Sequence, residues 1–252
     1  MLAIDRQKLI LELLRTSGSL RTAETAGLLD VTDETVRKDF EVLERRGMLL
    51  RIHGGASKPE RIREDQPFTE RQAVRRSEKQ AIAKLAAKRI QPNETIFLDA
   101  SSTALTLTRY LPEVPLTVLT NAMNVVAALA DRSQIDLICT GGVYEARSRS
   151  FIGVIADKSL HRYNINRLFF SGNGLHLERG VSERNSRQAA FKERVIACAQ
   201  DVVLLADHTK LGQKSAFFFG KTTSLSCLIT DAAADPEFVM ELEGMGVEVL
   251  KG

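Results

Sequence analysis

The sequence has no tryptophan, only three cysteines and six prolines among its 252 residues, and 6% aromatics. Its three cysteines, Cys139, Cys198 and Cys227, stand far apart in apolar surroundings such as Leu137-Ile138-Cys139. An odd, dispersed set without CxxC spacing excludes a disulfide framework and a zinc site; small buried thiols are expected instead. Charge of one sign is also scarce: 35 Lys and Arg face 32 Asp and Glu, for a net charge of +3. That balance excludes a polybasic protein that holds nucleic acid by bulk attraction. Long hydrophobic runs are missing, since the longest uncharged stretch, 114–130, is broken by Pro115, Asn121 and Asn124. Acidic Asp5 and Glu12 replace the apolar core that a secretory signal needs. A reduced cytoplasmic chain, with no membrane partner, is the expectation.

What is present is ample core material, 44% hydrophobic residues, in a length that accommodates two unequal domains. Residues 1–57 read as a small helical module. Ile10, Leu13 and Leu14 mark a first helix stopping at Ser17-Gly18. A short helix over 22–29 follows, with Ala23, Ala26 and Leu29 expected inward, then a longer one opening at Val31-Thr32 with Val36, Phe40 and Leu43 on one face and ending at Gly47. Residues 48–56 look like a β-ribbon turning at Gly54-Gly55. The charge-rich stretch 58–76 reads as a solvated linker. Ser77 and Gln80 form a capping-box pattern before a helix marked by Ile82, Leu85, Ala86 and Ile90. From 77 to 252, apolar strands at 95–100, 116–121, 135–140, 168–171, 202–206, 225–230 and 247–250 alternate with helical stretches at 104–111, 124–130, 186–199 and 236–244. The fold class is α/β: an N-terminal winged helix-turn-helix and a second domain, 77–252, with a mainly parallel sheet.

In a winged helix-turn-helix the second helix of the pair enters the major groove and its first turn meets base edges. Here Thr32, Asp33, Glu34, Thr35, Arg37 and Lys38 occupy that helix, Thr22 opens the one before it, and Arg51, His53 and Gly54 lie on the wing. Arg and Lys donate to guanine or phosphate, and Thr reaches a base or a thymine methyl. In the second domain, Ser101-Ser102-Thr103, Thr120-Asn121, Thr140-Gly141-Gly142 and Asp207-His208-Thr209-Lys210 fall at strand C-termini, which line the ligand crevice of an open α/β sheet. Hydroxyls at a strand-to-helix turn serve an anion or merely cap the helix, and both readings stand for Ser101–Thr103. Gly172-Asn173-Gly174 lacks the third glycine of a dinucleotide fingerprint. His161, His176 and His208 show no metal spacing, so neither metal nor cofactor is called for.

The run from Val31 to Phe40, with Leu43, Gly47, Leu49, Arg51 and His53-Gly54-Gly55-Ala56, resembles the DeoR family of bacterial transcriptional regulators. The similarity continues along essentially the whole chain. It implies a repressor of double-stranded operator DNA, a homo-oligomer of two or four copies, and a small phosphorylated sugar as effector. The resemblance also implies a second domain similar in fold to ribose-5-phosphate isomerase and glucosamine-phosphate deaminase. It assigns the effector site to Asp99, Ser101, Ser102, Thr103, Asn121, Gly141, Gly142, Gln188 and Lys210. Two residues depart from the family pattern: Ser101 stands where glycine is usual, and Gln188 where many members have glutamate. A sugar-phosphate isomerase or deaminase with an N-terminal extension is the alternative, and Gln188 counts against it by removing one plausible acid/base carboxylate.

Overall fold

The helical spacing at the start of the chain becomes α1 (Ala3–Ser17), followed by β1 (Ser19–Arg21), α2 (Thr22–Leu29), α3 (Asp33–Arg45), β2 (Leu50–Ile52) and β3 (Gly55–Ser57). This computed structural model describes residues 3–45, 48–52, 54–57 and 67–252. It divides into two units, Met1–Glu64 and Asp65–Gly252. In the first, Ile10, Leu14, Ala26, Leu29, Val36, Phe40, Leu43 and Leu49 close a single core. Two details differ from expectation. The buried stripe of α2 runs through Thr22, Thr25, Ala26 and Leu29, leaving Ala23 exposed, because those four positions repeat at helical spacing and 23 is turned away from them. The wing also has three strands in the order β1-β3-β2. Strand β1 contributes only Ser19, Leu20 and Arg21, too short a run to show alternation.

The wing explains its own glycines. Gly54 turns with φ at +80°, and a Cβ on Gly55 would lie 2.0 Å from the Leu20 carbonyl oxygen, inside the β1–β3 pairing. Asp39 is the polar anchor of the unit. Its carboxylate is 4% exposed, accepts from Gln7 Nε2 at 3.0 Å and pairs with Arg6 Nε, tying α3 to α1.

The second unit contains α4 (Phe68–Ala73), α5 (Arg76–Ala87), β4 (Thr95–Leu98), α6 (Ser102–Leu107), β5 (Leu116–Thr120), α7 (Met123–Leu129), β6 (Ile135–Cys139), β7 (Val143–Glu145), β8 (Ser150–Ile152), α8 (Val154–Leu160), β9 (Ile165–Phe170), β10 (Gly174–His176), β11 (Gly180–Glu183), α9 (Ser186–Cys198), β12 (Ala199–Leu205), β13 (Phe217–Gly220), β14 (Cys227–Thr230), α10 (Pro236–Gly244) and β15 (Glu248–Lys251). All seven expected strands join one parallel sheet in the order β15-β14-β12-β9-β4-β5-β6. Alternate residues serve opposite faces: Phe97, Leu119, Leu168, Phe170 and Leu204 pack into one core, and Ile96, Leu98, Val118, Phe169 and Val203 into the other. Helices cover both, as near-continuous apolar strands require.

Several short elements escaped the sequence pattern: the β7–β8 hairpin, α8, and a small antiparallel sheet in the order β10-β11-β13. The 58–76 linker is shortened. Residues 58–66 lie outside the described residues, but Phe68 is 2% exposed, its amide donates to the Arg147 carbonyl, and α4 belongs to the second unit. The capping box is absent: Arg75, at φ 51°, precedes α5 and makes no side-chain cap, so Ser77 lies inside the helix and bonds Glu78. Cys139 is exposed rather than buried, because β6 is an edge strand; Cys227 is buried, and burial pushes its thiol up to about 12. Gly172 and Gly174 are packing glycines, with Val181 and Gln213 where their Cβ atoms would stand. Among the described residues, no helix is long and apolar enough to cross a membrane.

Replacing Asp39 with alanine removes a charge-assisted pair with Arg6 and a buried hydrogen bond from Gln7, and should lower the stability of the N-terminal unit by roughly 1.5–3 kcal/mol. Urea unfolding of the full chain checks this, and an unchanged midpoint for that unit contradicts the anchoring role.

Candidate nucleic-acid interface and ligand cleft

Val36, Phe40 and Leu43 are each at most 1% exposed, so the opposite face of α3 is the one presented outward. Thr32 receives the Thr35 amide on its hydroxyl and carbonyl, and the two hydroxyls lie 2.9 Å apart, which closes the first helical turn. Asp33 and Glu34 occupy that turn, where the helix dipole favours negative charge. Arg37 and Lys38 are exposed on the next turn. Lys38 Nζ is 3.5 Å from Glu34 Oε1 in an exposed pair spaced i,i+4, an interaction that water screens and a DNA phosphate can displace. Arg51 is exposed on β2, with its amide held by Glu44. Thr22 does not join this surface: it is 6% exposed, and its amide donates to the Gly54 carbonyl, locking α2 to the wing turn. His53 lies outside the described residues.

In the second unit the strand C-termini bring most of the expected cleft together. Asp99, Ser101, Ser102, Thr103, Asn121 and Gln188 are all buried. Asp99 acts as a scaffold: its carboxylate accepts the amides of Ser101 at 3.0 Å and Ser171 at 3.2 Å. Ser101 Oγ accepts the Ala104 amide at 3.1 Å, so the residue that replaces glycine caps α6. Gly141 and Gly142 adopt φ of +66° and +115°, and a Cβ on Gly142 would lie 2.7 Å from the Ile152 carbonyl oxygen. Gly142 thus permits the close approach of the chain entering β7 to the end of β8. Lys210 lies on the short turn 208–210, with Nζ donating to Ser171 Oγ at 2.8 Å.

Lys192 and Lys79 went unrecognised in the sequence. Lys192, on α9, donates to Glu183 at 2.6 Å and to the Ser171 carbonyl at 2.6 Å, and stands 3.4 Å from Asp99. Burial pulls its pKa down, but Glu183 and Asp99 more than offset this and raise it; the same pairing holds Glu183 low despite burial. Lys79 donates to the carbonyls of Arg71 and Val74. Ser102 Oγ also donates to the Arg71 carbonyl, and Arg75 Nε lies 3.6 Å from Asp207. Residues 68–79 thus strap across the carboxyl edge of the sheet and bring Arg71 and Arg75 to Lys79, Lys192 and Lys210. The signal in sequence was a basic stretch, which reads as linker when its burial is unknown.

So many cations have consequences for ionisation. Burial and the Lys210 charge lower Lys79 from 10.5 to about 8, with Arg71 and Arg75 adding to the effect and Asp207 opposing it. Burial likewise lowers Lys210, with Lys192 adding to it. An anion in the cleft stabilises protonated Lys79. Binding of inorganic phosphate to the full chain should therefore weaken as pH rises through about 8, where Lys79 gives up its proton. Calorimetry in buffers from pH 8 to 9.5, where phosphate is already a dianion, checks this; constant or rising affinity contradicts a role for Lys79.

The comparisons with known proteins agree with this division. The DeoR-like helix-turn-helix domain matches residues 6–61, and the DeoR C terminal sensor domain matches residues 74–232. The chain is 37% identical to the uncharacterized HTH-type transcriptional regulator YulB of Bacillus subtilis, over 99% of this chain and 96% of that one. It is 30% identical to the HTH-type transcriptional repressor GlcR of the same organism, over 98% and 95%, and 31% identical to the L-fucose operon activator of Haemophilus influenzae, over 90% and 91%. Among solved structures, ribose 5-phosphate isomerase A of Methanocaldococcus jannaschii is similar over 53% of each chain, at 18% identity and a TM-score of 0.40. With both of its units matched and relatives aligned from end to end, the chain belongs to the DeoR family and is a DNA-binding transcriptional regulator, not an enzyme.

Proposed function

We propose that this regulator represses genes for a sugar or related metabolite in the cytoplasm, and that a phosphorylated sugar releases it from its operator. The observation that carries the reading is the meeting of Lys79, Lys192 and Lys210 with Arg71 and Arg75 at the carboxyl edge of a parallel sheet. Those charges, with Ser102 and Thr103 beside them, suit a phosphate in a site where water is scarce. The name of the L-fucose operon activator supports the sugar-gene context, and that of the GlcR repressor supports repression. Operator DNA meets Thr32, Asp33, Glu34, Thr35, Arg37 and Lys38 in the major groove and Arg51 and Gly54 at the wing. Two or four copies associate through their second units and so present paired reading helices.

Release needs a ligand with different affinities for two arrangements of the protein. The strap provides the physical link. Lys79 and Ser102 hold the Arg71 carbonyl, and a phosphate that draws those donors toward itself loosens residues 68–76. That segment is continuous in sequence with the reading unit, so its arrangement is the variable that the ligand controls.

The test starts from genomic fragments selected for binding to the full chain, followed by fluorescence anisotropy with a panel of sugar phosphates. At least one sugar phosphate should weaken operator binding about tenfold or more. Lys210→Ala should keep DNA affinity and lose the response. Arg37→Ala should weaken binding by ~1–3 kcal/mol with the fold intact. Operator retention that no sugar phosphate alters, or normal release of the Lys210 variant, contradicts the reading.

A further inference from the structure

Glu145 is a carboxylate that the sequence pattern leaves unassigned. It ends β7, directly opposite Ser150 on β8, on a hairpin whose neighbouring side chains Val143 and Tyr144 are exposed. Glu145 itself turns inward. Its Oε1 accepts from Asn185 Nδ2 at 3.1 Å, and its Oε2 accepts from Gln188 Nε2 at 2.6 Å and Ser148 Oγ at 2.9 Å. Gln188, 4% exposed, also directs its amide nitrogen at Ser148 and Ser150 Oγ, at 3.0 and 2.9 Å. These donors to Glu145 are all neutral.

This geometry accounts for the glutamine. A glutamate at 188 would set two carboxylates at hydrogen-bond distance, and one of them would have to hold a proton. Gln188 and Glu145 are therefore a matched pair. The carboxylate that the family pattern places on α9 is supplied here from the hairpin.

An independent observation points to a ligand in the pocket that Gln188 lines. Asn121 is 1% exposed and its orientation is fixed, because Nδ2 donates to the Phe151 carbonyl at 3.1 Å while its own carbonyl accepts the Phe151 amide at 2.8 Å. Its Oδ1 is buried and has no hydrogen-bond partner among the described residues. A buried acceptor in that state is short of a donor. Asn121 and Gln188 line one small pocket with Asp99 and Lys192, and Phe151 directly follows the Ser150 that faces Glu145.

We propose that Glu145 and Asn121 form the subsite that reads the sugar part of the effector. It selects a ligand that presents hydroxyl or ammonium hydrogens beside its phosphate-bearing end, and Glu145 is the specificity-determining residue. This rests on the sugar-phosphate reading above. Gln188 positions the carboxylate, and Asn121 Oδ1 accepts a second ligand hydrogen.

The test uses the full chain and calorimetry with inorganic phosphate, ribose 5-phosphate, glucose 6-phosphate and glucosamine 6-phosphate. At least one sugar phosphate should bind about tenfold or more tightly than inorganic phosphate, the size expected of a charge-assisted hydrogen bond. In Glu145→Gln that preference should fall to about twofold or less, with inorganic phosphate bound as before. The double variant Glu145→Gln/Gln188→Glu, which returns one carboxylate to the pair, should recover most of it. A Glu145→Gln protein with its sugar preference intact overturns the proposal. So does a natural chain that binds sugar phosphates and inorganic phosphate alike, which leaves the phosphate seat standing. If neither sugar phosphates nor inorganic phosphate bind, this proposal and the effector reading both fall.

Discussion

The sensor unit depends on one buried ion cluster, Lys192 between Glu183 and Asp99. Each charge alone would be costly to hold out of water, and together they are retained because each compensates the others and all find hydrogen bonds. The cluster joins α9, β11 and the end of β4, and through the Ser171 carbonyl it fixes the end of β9. Asp99 is thereby committed to organising the turn, accepting two amides and facing an ammonium. The free positive character of the cleft falls to Lys79 and Lys210, whose depressed pKa values mark them as cations with too little compensation. A bound dianion would correct that imbalance. Anion binding is the electrostatic complement of this cleft.

A comparable economy governs the reading unit. Residues 1–57 hold nine basic and nine acidic side chains, so bulk attraction to DNA is small. Asp39 is spent on holding Arg6 and Gln7, and Glu34 lies beside Lys38. Arg37, Lys38 and Arg51 remain outward on α3 and β2. A regulator with so little bulk attraction discriminates through a few placed contacts.

The parallel sheet was legible because its seven strands are apolar on both faces and long enough to display it. Val36, Phe40 and Leu43 were equally plain, at helical spacing in an amphipathic helix. What could not be read was whatever depends on contacts distant in sequence. Lys79 and Arg71 look like surface charges until α4 is seen to fold onto the sheet, held by Phe68. Glu145 looks like one more polar residue of a hairpin until Gln188, 43 positions later, is found against it. Ala23 and Cys139 failed for a simpler reason. Apolar character says that a residue tolerates burial, not which side of a short helix or an edge strand it occupies.

In the proposed release, the strap of residues 68–79 connects an occupied cleft to the reading unit. Hydrogen exchange on the full chain, with and without a saturating sugar phosphate, measures it most directly. Because Lys79 and Ser102 cannot serve both the strap and a phosphate fully, amide exchange across 68–79 should change on binding, along with that of residues 99–104. Changes limited to 99–104 and 208–210, with 68–79 unaltered, would contradict the strap as the relay.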